Sequence, residues 1–102
     1  MALPDEIPDW LAPIFGALAD PTRLRIIGLL DDGDRTVAEL TTELGIRQSL
    51  VSFHVKRLRD VSLVLPVGPW RQTPYTLGRL PLRSATRFIA ALSADRPRRP
   101  VR

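Results

Sequence analysis

The sequence predicts a mainly α fold of the α+β class, with about five helices and a two-stranded β-hairpin between the fourth helix and the last. Three observations carry this expectation. Apolar residues recur at helical spacing through residues 7–18, 24–30, 37–44, 51–58 and 82–92. A tight turn at Gly45-Ile46 separates the third stretch from the fourth, as in a helix-turn-helix. After Asp60 the period changes, and SLVLPV and TPYTL read as short extended runs around the turn-like GPWRQ.

The first helix is marked by Ile7, Trp10, Leu11, Ile14, Phe15 and Leu18, with Asp9 placed to cap it and Pro13 early enough to forfeit only one intrahelical bond. In ADPTRLRIIGLLDDGD, Asp20 is the expected cap of the second helix and Pro21 sits in its first turn. Leu24, Ile27 and Leu30 repeat on one face there, and DDGD ends the helix. Thr36 and Glu39 have capping-box spacing at the start of the third helix. Val37, Leu40 and Leu44 give that helix a narrow stripe, and Gly45 can adopt the left-handed conformation that stops it.

The hairpin strands contain Pro66 and Pro74, which restrict them to edges, and Trp70 and Arg71 fall near the tip. Trp70 is expected to pack against the hairpin base. The last helix carries Leu82, Ala85, Phe88, Ile89 and Leu92 on one face. Residues 1–92 are read as a single domain, and SADRPRRPVR (93–102) as a disordered basic tail that adds unspecific phosphate attraction.

Charge points to a partner. Residues 1–46 hold Arg23, Arg25 and Arg35 against nine carboxylates, a balance of −6, whereas residues 47–102 hold twelve Lys or Arg against Asp60 and Asp95, a balance of +10. Without the tail that half still stands at +7. Such asymmetry is the footprint of a polyanion partner on the C-terminal half. The chain has no cysteine, so disulfides and thiolate metal sites are excluded. With one histidine, no Gly-rich phosphate loop and no nucleophile–base pair, an enzyme is not expected. The acidic N-terminus lacks a signal-peptide pattern and no apolar run is long enough to span a membrane, so the expected location is the cytoplasm, with no membrane partner.

The fourth helix carries the sharpest functional signal. Stepping about 100° per residue, Val51, Val55 and Leu58 cluster within about 60° as a buried seam. Ser49, Ser52, Phe53 and Lys56 lie roughly 100–200° away. Arg47 and Gln48 stand at its start, Arg57 borders the outer face and Arg59 flanks the seam. Small hydroxyls permit close approach to base edges, cations meet phosphates or guanine, and an aromatic packs on thymine methyls. These residues form a surface suited to the major groove of double-stranded DNA.

The runs ALADPTRLRIIGLL, TVAELTTELGIRQSLVSFHVKRLRDVSLV and RQTPYTL resemble the ArsR/SmtB family of bacterial winged helix-turn-helix regulators over residues 16–77. The resemblance implies a homodimer paired through its first and last helices. Such a dimer is expected to repress from a palindromic operator and to release DNA when an effector binds. It also places Arg71 as a wing arginine that reaches the minor groove. The amphipathic end helices point the same way, because they offer more apolar surface than so small a module can bury alone. The expected interface is therefore Ile7, Trp10, Leu11, Ile14, Phe15 and Leu18 with Leu82, Ala85, Phe88, Ile89 and Leu92.

Several positions depart from the family pattern. DRTVAEL stands where metal-sensing members carry cysteines, and PLRSATRFIAAL stands where others carry Asp and His ligands. No metal site and no cofactor is expected, and His54 is read as a packing residue. Arg47 replaces the usual N-cap serine, Ser62 replaces a common glycine, and Pro69 and Pro74 stiffen the wing. Two other readings stay open: a winged-helix protein-interaction module, and a metal-linked or partner-assisted regulator with a weak non-thiolate site. Whether the effector is a small molecule, a metal ion or a protein the residues leave open.

Overall fold

The computed structural model describes residues 7–95, so the tail residues 96–102 lie outside the described residues. The elements run α1 (Leu11–Leu18), α2 (Pro21–Asp32), α3 (Val37–Leu44), α4 (Gln48–Asp60), β1 (Val64–Pro66), β2 (Tyr75–Leu77) and α5 (Arg79–Ser93). The expected order is reproduced, and α4 has the bounds its periodicity suggests.

Two helix starts follow from side-chain caps. The Asp20 carboxylate accepts the Arg23 amide at 3.4 Å, with Pro21 in the first turn of α2. At α3 the capping box is complete: Thr36 Oγ1 accepts the Glu39 amide at 3.1 Å, and Glu39 Oε1 accepts the Thr36 amide at 2.9 Å. That backbone hydrogen bond from Thr36 holds the Glu39 carboxyl below its usual range. Gly45 closes α3 in the left-handed region at φ 68°.

Other expectations are corrected. Asp9 does not cap α1: Trp10 is the N-cap residue, with no side-chain bond, and Ile7 precedes the helix. Leu24 is not on the inner face of α2. It is 54 % exposed, because Ile26 and Leu30 turn inward and Leu24 lies about 200° round from Ile26. The strands are three residues each rather than five or six, pairing Val64 with Leu77 and Pro66 with Tyr75. The last helix continues through Ser93, one residue past the expected boundary.

One core joins all seven elements, from Ile14 of α1 through Ile26, Leu40, Leu58 and Val64 to Leu77 and Ala85. Each fully buried Leu or Ile there contributes on the order of 1.5–3 kcal/mol. Phe15 and Phe88 meet edge to face at 5.9 Å and tie α1 to α5. Where the hairpin leaves and rejoins the core, Ser62 sits in the left-handed region at φ 61°. Opposite it, a Cβ on Gly78 would come 1.9 Å from the Ser62 carbonyl oxygen, so only glycine fits that approach.

Candidate nucleic-acid interface

Recognition by α4 begins with how its inner face is held. Val51, Val55 and Leu58 are buried as their spacing predicts, and His54 joins them at 7 % exposure. Arg23 Nη1 lies 3.1 Å from His54 Nδ1. A guanidinium only donates, so Nδ1 is the acceptor in this contact, and an Asp20 carboxylate oxygen lies 3.8 Å from the same nitrogen. Arg23 Nε also donates to the Ala17 carbonyl at 2.6 Å, which links α1, α2 and α4. His54 is thus a packing and hydrogen-bonding residue of the scaffold. Among the described residues, no three His, Asp or Glu side chains converge in a metal-ligating group.

With that seam fixed, Arg47, Gln48, Ser49, Ser52, Phe53, Lys56, Arg57 and Arg59 are all exposed. They do not form one flat face. Gln48, Ser52 and Arg59 turn toward the hairpin, where with Arg71 and Gln72 they line a cleft of about 640 Å³. On the other flank the Arg57 guanidinium lies 5.2 Å from the Phe53 ring centroid, and both border a recess against Pro13, Gly16 and Ala17 of α1. Lys56 reaches Asp60 at 3.4 Å, an exposed i,i+4 pair. Such a pair contributes about 0.3–0.5 kcal/mol, so Lys56 can exchange its partner for a phosphate at little cost. Arg47 makes no side-chain cap bond at the N-terminus of α4, as expected for a residue replacing serine.

The hairpin is anchored by Arg35, which nothing in the sequence marks as more than a charge. Arg35 and Tyr75 exchange both backbone hydrogen bonds, 2.7 and 3.2 Å, and add a rung beside β2. The Arg35 side chain is occupied by Glu43 at 2.9 Å and Asp32 at 3.5 Å. Arg23 and Arg35 are therefore structural, and nothing short of the folded chain distinguishes them from free arginines. Trp70 does not pack on the hairpin base. It is 56 % exposed and its ring lies across Gly68, near the tip.

The expected interface of the end helices divides by burial. Leu11, Ile14 and Ala85 are buried within the chain, and Phe15, Leu18, Leu82 and Phe88 are half-buried. Ile7, Trp10, Ile89 and Leu92 are exposed.

Residues 20–64, from the α2 cap to the first hairpin strand, match the profile of bacterial regulatory proteins of the arsR family. A probable mercury resistance operon repressor of Streptomyces lividans is 34 % identical over 93 residues, covering 91 % of this chain and 74 % of the relative. The chain belongs to the ArsR/SmtB family. An ArsR-like transcriptional regulator from Rhodococcus sp. RHA1 superposes with a TM-score of 0.73 at 27 % identity, over 82 % of this chain and 79 % of that one. A homodimeric winged helix-turn-helix DNA-binding domain from Mycobacterium bovis shares the fold at a TM-score of 0.65 and 24 % identity, over 89 % of each chain. As an ArsR/SmtB protein, the chain is a DNA-binding transcriptional regulator and not an enzyme. In family terms α4 is the recognition helix and the β-hairpin is the wing. Among the described residues, no helix is long and apolar enough to cross a membrane.

Proposed function

We propose that this ArsR/SmtB regulator is a repressor that binds a palindromic operator as a homodimer, with one recognition helix in each of two successive major grooves. The observation that carries the reading is α4 itself: Val51, His54, Val55 and Leu58 are buried while Gln48, Ser49, Ser52, Phe53, Lys56, Arg57 and Arg59, with Arg47 at the N-cap, stand exposed. Ser49 and Ser52 lie in its first half, where recognition helices meet base edges. Phe53 and Lys56 extend that contact, Arg47, Gln48, Arg57 and Arg59 serve the flanking backbone, and Arg71 of the wing approaches a phosphate or the minor groove.

Dimerisation is assigned to α1 and α5. Ile7, Trp10, Ile89 and Leu92 remain exposed on these helices or just before them, and the Mycobacterium bovis domain of the same fold is homodimeric. The Streptomyces relative is named for mercury resistance, but these 102 residues contain no cysteine to supply thiolates. The effector we propose is accordingly not one sensed through cysteine-bound metal. Footprinting purified protein on the DNA upstream of its own gene tests the reading. Protection of two half-sites about one helical turn apart is expected. Uniform protection at every sequence, or none at low salt, contradicts it.

A further inference from the structure

The wing tip is built more firmly than a surface loop requires. The ladder between the strands continues past Pro66 as Val67 N–H donates to the Pro74 carbonyl at 2.9 Å. The next rung is made by a side chain: Gly68 N–H donates to Thr73 Oγ1 at 2.9 Å, and that hydroxyl donates onward to the Pro74 carbonyl at 3.3 Å. Thr73 is buried although it lies in a loop. Across the same glycine lies the Trp70 ring, so close that a Cβ on Gly68 would meet Trp70 Cζ3 at 1.6 Å. Gln72, adjoining Arg71, is held in the left-handed region at φ 62°, which a non-glycine residue adopts only when its surroundings enforce it. Pro69 and Pro74 fix two further φ angles.

Trp70 is exposed and takes no part in the hydrophobic core, so its contact with Gly68 does not serve the packing of the domain. Its consequence is local: it fixes the path of the loop that presents Arg71. A loop with no internal partners would have to be ordered at the moment of binding, and that cost would subtract from affinity.

We propose that Trp70 and Thr73 are positioning residues that hold Gly68, Thr73 at its amide and Trp70 where a Cβ would stand, and so present Arg71 to DNA in a preformed wing. The inference rests on the reading of Arg71 as a DNA contact. The clamp converts what Arg71 can contribute into affinity, and its own atoms need touch no nucleic acid.

The test measures affinity for a random-sequence duplex at low salt, with Thr73→Val, Thr73→Ser and Gly68→Ala each made alone and in an Arg71→Ala background. Thermal melts verify that every variant is folded, as expected for changes outside the core. Thr73→Val, which keeps the shape and removes the hydroxyl, and Gly68→Ala, which displaces the ring, should each weaken binding roughly two- to tenfold, the equivalent of one hydrogen bond. Thr73→Ser should restore it. In the Arg71→Ala background neither change should cause further loss. If Arg71→Ala weakens binding while Thr73→Val and Gly68→Ala bind as the unaltered protein does, the clamp is overturned and the wing contact stands. If the two losses persist undiminished without Arg71, the clamp does not act through it and the inference is equally overturned. If Arg71→Ala itself binds normally, the wing contact fails and the clamp falls with it.

Discussion

The recognition helix and the wing face the same cleft but are held in different ways. One side of α4 is sealed into the core by Val51, His54, Val55 and Leu58, and Arg23 braces it from α2. Its position is thus set by residues that never meet DNA, and the outer residues are free to differ without moving the helix. The wing has one layer and three-residue strands; Val64 and Leu77 at their inner ends join the core, and the part beyond them has no second face to bury. That outer part depends instead on particular groups: the Arg35–Tyr75 rung, the Thr73 hydroxyl and Gly68, where a Cβ would displace the Trp70 ring; at the inner end stands Gly78, where backbone leaves no room for one. Burial tolerates sequence change on the exposed side of an element, whereas a single-layer device is only as good as each of its parts.

Breaking the helix side of this comparison should have the largest effect. Leu58→Ala removes a fully buried side chain at the centre of the core and should destabilise the fold by about 2–5 kcal/mol in chemical denaturation. A cost below that range would mean that α4 is not sealed by its apolar seam. Arg23→Met tests the brace. It leaves the His54 Nδ1 and the Ala17 carbonyl without their donor and should cost about 1–3 kcal/mol by the same measurement. A neutral result would show that the helix is positioned by packing alone.

The smallest expected effect is a gain. Ser62 holds a left-handed conformation at the entry to the hairpin, and its side chain is exposed. Ser62→Gly should stabilise the protein by about 0.5–1 kcal/mol and raise its melting temperature without changing DNA affinity. A loss of stability would mean that the serine side chain contributes something its backbone geometry does not reveal.

The same contrast explains how much could be read from the sequence. Helical periodicity located α4 to the residue, and the caps at Asp20 and Thr36 followed from local chemistry, because these signals lie within a few residues of one another. The chosen face of α2 did not: Leu24, Ile27 and Leu30 make as good a stripe as Ile26 and Leu30, and only the packing of α4 and β2 against α2 decides between them. At the candidate site the seam and the outward residues were legible. The division of the outer face into a wing-side cleft and a recess against α1 was not, since it depends on where other elements pass. Nothing local marks Arg35 as the partner of Tyr75 forty residues later, or Thr73 as the hydroxyl that receives Gly68.

The most direct measurement compares Ser49→Ala with Arg71→Ala on operator and on random DNA across a salt series. Ser49→Ala should cost about 1–3 kcal/mol on the operator and little on random DNA, which narrows discrimination at one position per half-site. Arg71→Ala should lower both affinities together and reduce the salt slope by about one per monomer. The account is contradicted if Ser49→Ala keeps full discrimination while Arg71→Ala abolishes it, for then the wing reads the sequence and the helix only holds the backbone.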